Sequence, residues 1–230
     1  MISPPQAPQA DDAQLGDLVR NGAAQLSVPL SATEVEGFVA YVRLIERWNA
    51  TYNLTAIRDP RAMVVQHVLD CLAAAASLQR RRGAGDGERV ADIGSGAGLP
   101  GIVIAMTSPG RRVTCIDSVG KKAAFIAQAA GVLQLANVTA VHARVEHVVD
   151  KFDVVASRAF SSLADFTGST RHILSDTGIW MAMKGKTPHE ELAVVADDVE
   201  FHVEPLVVPE LDGQRCVVWM QMKEKASARL

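Results

Sequence analysis

The stretch Val90-Ala-Asp-Ile-Gly-Ser-Gly-Ala-Gly-Leu-Pro-Gly101 decides the fold of this chain. Its opening apolar residues predict a short buried strand, and Pro100 suits the first turn of a helix, where its missing N–H would be unpaired anyway. Between them, three glycines remove side chains where the backbone must turn sharply or approach a ligand. Such a loop aims free backbone N–H groups and the positive end of a helix dipole at its ligand. We therefore predict a site for a small ligand with an anionic group, at the carboxyl end of a parallel strand.

Two classes of ligand fit this loop. The spacing Gly94-x-Gly96-x-Gly98 is the pattern of S-adenosylmethionine (SAM) methyltransferases, but Gly96-Ala-Gly98-Leu-Pro-Gly101 also matches the dinucleotide fingerprint G-x-G-x-x-G. Both classes need an acid at the end of the second strand to hold ribose hydroxyls, and Asp117 meets this need. SAM is favoured because Asp92 precedes the first glycine, because the chain has one glycine loop, and because no second domain is available for a hydride acceptor. A nicotinamide oxidoreductase stays open as the alternative.

Composition limits the functional classes. The chain has 230 residues, 48% of them hydrophobic, which suggests one domain with an appendage and an ample core. A formal net charge of −3 excludes a polycation, so any contact with nucleic acid must come from a local basic face. The three cysteines follow no metal or redox spacing, and neither a signal peptide nor an apolar run long enough to span a membrane is apparent. We expect a cytoplasmic protein without membrane contact or a metal.

Four segments are predicted along the chain. Residues 1–14 are expected to form a disordered tail, and residues 15–82 a helical extension that contains the capping box Ser31-Ala-Thr-Glu34. Residues 88–223 are expected to form the SAM-binding methyltransferase domain, and residues 224–230 a flexible tail.

From residue 89 onward, apolar runs alternate with helical patterns, which is typical of a parallel sheet with helices on both faces. We predict strands near 89–93, 112–116, 138–141, 153–157, 179–183, 203–208 and 215–222. Helices are predicted near 100–107, 119–131, 144–149, 161–174 and 188–197. The turn between the last two strands is too short to join parallel strands. The predicted fold class is therefore α/β, a Rossmann-like SAM-dependent methyltransferase fold with a mostly parallel seven-stranded sheet, an antiparallel last strand and an N-terminal helical extension.

Blocks of residues along the chain match one family in order. The N-terminal helices carry Trp48-Asn49, Asn53-Leu-Thr55, Arg58-Asp59 and His67-Val-Leu-Asp70. The later blocks are Asp92–Gly101, Asp117-Ser-Val-Gly-Lys-Lys122, Arg144-Val-Glu146, Ser157-Arg-Ala-Phe160, Lys184-Gly185 and Leu211-Asp-Gly213. In these blocks the chain resembles the RsmG (GidB) family. One departure from the family pattern is Cys71, where a serine is expected.

The resemblance implies an enzyme that transfers a methyl group from SAM to N7 of a guanine in the 530 loop of 16S ribosomal RNA. It also implies 16S rRNA or the small ribosomal subunit as the partner, and we expect a monomer. Guanine N7 carries a lone pair and no proton. The reaction therefore needs N7 placed in line with the methyl–sulfur bond and water excluded, but no general base.

The resemblance also implies which residues hold SAM: Asp92, Gly94, Gly96, Gly98, Leu99, Asp117, Val145, Glu146 and Arg158. The glycines are expected to wrap the methionine part, with Leu99 closing the pocket and Asp117 accepting hydrogen bonds from the ribose. Val145 and Glu146 are expected to flank the adenine, although Glu146 also fits a helix N-terminal charge. Arg158 fits a partner of the SAM carboxylate, of an RNA phosphate or guanine edge, or of a structural salt bridge.

The catalytic residues are expected to be Arg158, His67 and Asn53, which position the substrate. Asn53, Arg58, His67 and Asp70 are predicted to roof the pocket, although a histidine in an apolar helix also fits a structural role. The candidate RNA contacts are Arg58, Arg111, Arg112, Lys121, Lys122, Arg144, Arg171, Lys184 and Lys186. Each of these cations alone also fits a solvated surface residue.

Besides the oxidoreductase, two functional alternatives stay open at the level of sequence. One is a SAM methyltransferase acting on another RNA or on a small molecule. A small-molecule enzyme would need an apolar lid over the pocket. The other is a regulator that binds the cofactor and transfers nothing.

Overall fold

A single seven-stranded sheet organises the chain. The structure is a computed structural model and describes residues 11–158 and 160–223. The strands are β1 (Arg89–Ile93), β2 (Arg112–Asp117), β3 (Val138–His142), β4 (Phe152–Ser157), β5 (Leu174–Lys184), β6 (Val199–Leu206) and β7 (Arg215–Met222). Their order is β3-β2-β1-β4-β5-β7-β6, and all neighbours from β3 to β5 pair in parallel. Only β7 runs against both of its neighbours. The predicted fold class is confirmed.

Helices cover both faces of this sheet. They are α1 (Asp12–Gln25), α2 (Ala32–Tyr52), α3 (Pro60–Met63), α4 (Asp70–Arg82), α5 (Gly101–Thr107), α6 (Gly120–Val132), α7 (Leu163–Thr170) and α8 (His189–Val195). A π-helical segment, Val64–Leu69, joins α3 to α4 without a break. Short 3₁₀ turns occupy Val145–His147 and Arg171–Ile173.

Most predicted elements lie where the sequence placed them, with three informative differences. The helix predicted near 144–149 is wrong, because only the 3₁₀ turn Val145–His147 forms and the backbone is already extended at Val148. The capping box at the start of α2 is confirmed, because the Ser31 N–H donates to a Glu34 carboxylate oxygen at 2.7 Å while the Ser31 hydroxyl accepts from the Glu34 N–H. By contrast, β5 begins at Leu174, where the sequence pattern predicted the end of a helix. The pairing of Leu174 with Phe152 decides this start, and a pairing between strands leaves no local signal. The predicted tail over 1–14 is wrong at its end, because α1 begins at Asp12; residues 1–10 and 224–230 lie outside the described residues.

The helix from α3 through α4 is the most apolar long element. Asp59 caps it, with its carboxylate accepting hydrogen bonds from two N–H groups of the first turn, and Pro60 occupies the first position. By length and composition this 23-residue helix is apolar enough to cross a membrane, which corrects the expectation that no such run exists. Within the molecule, 72% of its most apolar stretch is buried, as in the core helix of a globular protein.

The N-terminal helices share their core with the sheet. One apolar cluster contains residues of α1, α2 and α4 together with residues of the central strands and of α5 and α6. A second cluster, on the opposite face, joins α7 and α8 to the sheet. A polar link reinforces the first cluster, because Glu204 of β6 accepts hydrogen bonds from Ser77 of α4 and from the Trp219 indole of β7.

Arg111 is a correction to the predicted RNA contacts. Its side chain is fully buried, and its guanidinium donates to a Glu88 carboxylate oxygen at 2.8 Å, to Gln79, to Ser108 and to the Gly83 carbonyl. A fully buried side chain that already makes four hydrogen bonds within the protein cannot reach RNA. Its role is to fasten the connection between α4 and β1, which the sequence pattern could not distinguish from a surface arginine.

Replacing Arg111 by Met is therefore expected to lower the free energy of unfolding by roughly 3–5 kcal/mol, because the Glu88 carboxylate, whose side chain is 8% exposed, would lose its best-buried partner. Urea unfolding measures this loss. The matched control is Arg112→Met, since Arg112 is the exposed neighbour and its removal should change stability by about 0.5 kcal/mol or less. Equal losses in the two variants would contradict the assignment.

Candidate active site

The carboxyl edge of the sheet collects polar side chains from distant parts of the chain. Asp117 ends β2, Arg158 follows β4, and Lys184 ends β5. Arg215 begins β7, which is antiparallel, so its amino end lies at this same edge. Ligands of open α/β sheets bind at this edge, where strand order reverses.

The glycine loop has a backbone that only glycine tolerates well. Gly94, Gly96 and Gly98 have φ values of +66°, +62° and +82°. At Gly98 a Cβ atom would lie 2.5 Å from Ile102 Cγ1 and 3.3 Å from the Tyr41 hydroxyl. The Tyr41 hydroxyl donates a short hydrogen bond to the Ala97 carbonyl, so α2 packs directly on the loop.

The loop does not offer the free donors that the sequence predicted. The N–H groups of Gly94 and Ser95 both donate to the Ile116 carbonyl, and the Gly96 N–H donates to the Asp117 carboxylate at 2.9 Å. The N–H groups that follow, of residues 98 and 99, return to the Ser95 carbonyl. The expectation of a cradle of free N–H groups is therefore wrong at these positions, because the neighbouring strand and the loop itself supply their acceptors. The loop therefore contributes to the site through its backbone conformation and not through free N–H groups at these positions.

Asp92 is the buried acid beneath this loop. Its Oδ2 accepts hydrogen bonds from the Ser95 hydroxyl and from the Gly101 N–H, whereas its Oδ1 is buried without a hydrogen-bond partner. Burial raises the pKa of Asp92 to about 6, although these two hydrogen bonds favour the carboxylate. An unpaired buried acceptor is costly, so this atom marks a place for a donor or cation.

The next two strands supply the rim of the site. Asp117 accepts hydrogen bonds from the Gly96 and Val119 N–H groups, both at 2.9 Å, and so joins the glycine loop to the start of α6. After β3, Val145 is buried and Glu146 is exposed in a 3₁₀ turn. The side chain of Leu99 packs into the core cluster on the helical side.

Beside the loop lies a cavity of about 330 Å³, between the π-helical segment and the ends of β4, β5 and β7. Its lining includes Arg158, Arg215 and Lys184 and one acid, Asp70. Arg215 Nε is 3.3 Å from Asp70 Oδ1, and Arg158 is 3.9 Å from the other oxygen of that carboxylate. Lys184 pairs with Glu191 at 2.8 Å. Three cations against one lining carboxylate make the cavity suited to an anionic ligand.

His67 lines the same cavity and is almost completely buried. Its Nδ1 is 3.1 Å from an Arg158 guanidinium nitrogen, and its Nε2 is 2.9 Å from the Thr55 hydroxyl. Burial and the nearby Arg158 charge lower the pKa of His67 to about 4. The imidazole is therefore neutral at pH 7, so it does not act as a general acid.

Asn53 and Arg58 lie apart from this cavity. Asn53 has left-handed backbone geometry at the C-terminal cap of α2. The Arg58 guanidinium donates to the Asn49 carbonyl and to the Asn53 side chain, each at 2.7 Å. These contacts show a capping role, and the predicted roles of both residues at the substrate stay predictions.

Besides Lys184, four of the predicted RNA contacts lie at or near the same edge. Lys121 and Lys122 lie in the first turn of α6, Arg144 precedes the 3₁₀ turn after β3, and Lys186 follows β5. Lys121, Arg144 and Lys186 are exposed. Their contact with RNA stays a prediction.

Sequence reasoning missed Arg215, Thr55 and Tyr41. Arg215 had a signal, because the start of an antiparallel strand must lie at the edge that holds the site. Thr55 and Tyr41 had none, since each contacts its partner through packing of helices that the local pattern does not specify.

Comparison with known proteins identifies the family. The model of the family "rRNA small subunit methyltransferase G" (GidB) matches residues 34–218. A protein named Ribosomal RNA small subunit methyltransferase G, from Polaromonas naphthalenivorans, is 48% identical over 216 residues, covering 92% of this chain and 98% of that protein. The chain belongs to the rRNA small subunit methyltransferase G family. It is thus a methyltransferase, and SAM is its methyl donor.

Solved structures agree on the fold of this family member. A SAM-dependent methyltransferase from Aquifex aeolicus superposes with a TM-score of 0.54 at 14% identity, over 70% of this chain and 93% of that one. A 16S rRNA N2 G1207 methyltransferase (RsmC) from T. thermophilus, solved with AdoMet and guanosine, gives a TM-score of 0.51 at 14% identity, over 67% of this chain and 43% of that one.

A pair of glycine variants tests the loop of this family member. Gly98→Ala is expected to cost at least about 1 kcal/mol of unfolding free energy and to weaken binding of S-adenosylhomocysteine, because its positive φ and the nearby Ile102 leave no place for Cβ. The control is Gly131→Ala in α6, where a Cβ meets nothing within 4 Å, so stability should rise by about 0.4–1 kcal/mol. Calorimetric titration and urea unfolding measure both; unchanged ligand affinity in Gly98→Ala would contradict this account.

Proposed function

We propose that this enzyme methylates N7 of a guanine in the 530 loop of 16S ribosomal RNA, as a cytoplasmic monomer acting on the rRNA or on the small ribosomal subunit. The observation that carries the proposal is the cationic cavity at the end of β4, beside the glycine loop, in a chain of this family. The name of the relatives, Ribosomal RNA small subunit methyltransferase G, supports the choice of rRNA.

The proposed reaction needs no general base, and the residues of the site agree with this. Bound SAM supplies an electrophilic methyl group on sulfur. Guanine N7 attacks it without losing a proton, so the protein has only to hold the two partners in line and keep water out. A neutral His67, buried against Arg158, is consistent with a site that transfers no proton.

The residues present fit SAM. The unpaired Asp92 Oδ1 lies where a cationic amino group would satisfy it, directly or through water. Asp117 would accept hydrogen bonds from the ribose hydroxyls while it keeps the hydrogen bond from the Gly96 N–H. Glu146 and Val145, after β3, would flank the adenine, and the glycines would leave room for the methionine part.

The cations of the cavity would hold the nucleotide. Arg158 follows β4 and lines the cavity, where it would contact the substrate or the SAM carboxylate. Arg215 lines the same cavity against Asp70, and Lys186 is exposed after β5. Forked guanidinium groups suit phosphate and the O6 edge of guanine.

Methyl-transfer assays test the proposed function. The full chain with methyl-labelled SAM should label small ribosomal subunits or free 16S rRNA, and chemical cleavage at 7-methylguanosine should map the label to the 530 loop. Arg158→Ala should lower kcat/KM by roughly a hundredfold, because misplaced reactants lose most of the positioning advantage. The control is Arg112→Ala. Arg112 begins β2 at the opposite end of the sheet, which argues against its predicted contact with RNA, so its removal should leave the rate unchanged.

Label in a small molecule but in no RNA would favour the small-molecule alternative. No transfer to any substrate, with SAM still bound, would favour the regulator. Either outcome would overturn the proposed function.

Cofactor affinity should depend on pH through Asp92. Its pKa of about 6 in the free enzyme means that the carboxylate is ionised at pH 7 and takes up a proton as the pH falls. Since the ionised form is the one that attracts an amino cation, affinity for S-adenosylhomocysteine should fall about tenfold from pH 7 to pH 5. In Asp92→Asn, affinity should be lower at pH 7 and should no longer follow this curve. Parallel pH curves for the two proteins would contradict the role of Asp92.

A further inference from the structure

We infer that Thr55 and His67 are positioning residues that hold the Arg158 guanidinium in one orientation, with His67 fixed as the tautomer that carries its proton on Nε2. The part of this inference that concerns reaction rates rests on the proposed function. The part that concerns the tautomer rests on the geometry of the described residues alone.

The contacts form a short chain from a loop to the end of β4. The Thr55 hydroxyl lies 2.9 Å from His67 Nε2, and His67 Nδ1 lies 3.1 Å from Arg158 Nη1. The same guanidinium nitrogen donates to the Gln66 carbonyl at 3.1 Å. Arg158 is thereby held by the backbone and the side chain of consecutive residues.

The chemistry of arginine decides the histidine tautomer. A guanidinium has donors only and keeps its protons in proteins, so the nitrogen that faces it must be an acceptor. His67 Nδ1 therefore has no proton and accepts a hydrogen bond from Arg158. The Gln66 carbonyl is also 3.1 Å from Nδ1, but it accepts its hydrogen bond from the same Arg158 nitrogen. Nε2 then carries the ring proton and donates it to the Thr55 oxygen.

Charged groups around His67 favour this neutral form. Arg158 faces the ring from β4, and Arg215 and Lys184 line the same cavity from β7 and β5. Asp70, on the same helix, lies between the two arginines. Lys184 is paired with Glu191, so the charge that acts directly on the ring is Arg158, 3.1 Å from Nδ1. A protonated imidazole would be repelled by this guanidinium and would displace it.

The π-helical segment supplies the Gln66 carbonyl. In an α-helix this carbonyl would accept the N–H of Asp70, four residues later. Here the Asp70 N–H bonds to the carbonyls of Val65 and His67, which leaves the Gln66 oxygen for Arg158. π-Helical turns are frequent at functional sites, and this one aims a backbone acceptor and a side-chain acceptor at the same guanidinium.

Thr55 is itself held rigidly. Its N–H donates to the side-chain oxygen of the buried Asn49, whose amide donates to the Ile57 carbonyl at 2.9 Å. The Ile57 N–H returns to the Thr55 hydroxyl oxygen at 3.2 Å. This closed set of bonds fixes the position of the oxygen that accepts the hydrogen bond from His67 Nε2.

Nitrogen NMR of ¹⁵N-histidine-labelled full-length protein tests the tautomer without any variant. Wild type should show His67 with a protonated Nε2 and a bare Nδ1 at pH 7. Thr55→Val, which removes only the hydroxyl, should shift the ring toward a mixture of tautomers, and Thr55→Ser should restore the wild-type signal. A wild-type His67 with its proton on Nδ1, or a Thr55→Val spectrum identical to wild type, would overturn the inference.

Single-turnover methylation tests the action through Arg158. Thr55→Val should slow transfer roughly ten- to a hundredfold through misplacement of Arg158, while Thr55→Ser stays within about threefold of wild type. In an Arg158→Lys background, Thr55→Val should cause little further loss, because the group that it positions is already absent. Equal losses in the two backgrounds would overturn the inference. If wild type methylates no RNA, the proposed function fails, while the NMR result still decides the positioning role.

Discussion

The reversal of strand order between β1 and β4 is the constraint on which the site depends. From β1 the chain adds β2 and β3 on one side, and from β4 it adds β5, β7 and β6 on the other. The connections after these two adjacent strands therefore diverge to opposite faces of the sheet, and the helical clusters on the two faces share no buried residue. The glycine loop and Arg158 follow these two strands, so they flank the crevice that the divergence opens.

Around that crevice, burial raises the pKa of one ionisable group and lowers the pKa of another. Asp92 is held toward neutrality by burial at the end of β1, and His67 is held neutral beneath Arg158. Arg158 contacts His67 Nδ1 at 3.1 Å. The cavity lining is mainly cationic, and its one acid, Asp70, lies against Arg215, which suits an electron-rich nucleophile that keeps all of its protons.

The residues near the glycine loop could be predicted well because their signals are local. A glycine with positive φ, an acid at a strand end and a turn too short for a parallel connection each leave a mark within a few residues. Arg111 and the loop N–H groups were predicted wrongly because their partners are remote in sequence. Glu88 lies 23 residues from Arg111, and the Ile116 carbonyl that receives the loop N–H groups belongs to the next strand. Thr55 and Tyr41 escaped notice because their contacts form only when the helices have docked, whereas Arg215 could have been found from the antiparallel direction of β7.

The link from Ser77 and Glu204 to Trp219 has a consequence for the order in which the chain acquires its parts. Ser77 and Trp219 are 142 residues apart, and Asp70 meets Arg215 over a similar span. A nascent chain emerging from the ribosome can complete β1, its loop and β2 long before β7 is synthesised. Because Arg215 lies on β7, we expect the cavity to gain its full set of cations only when this final strand has docked.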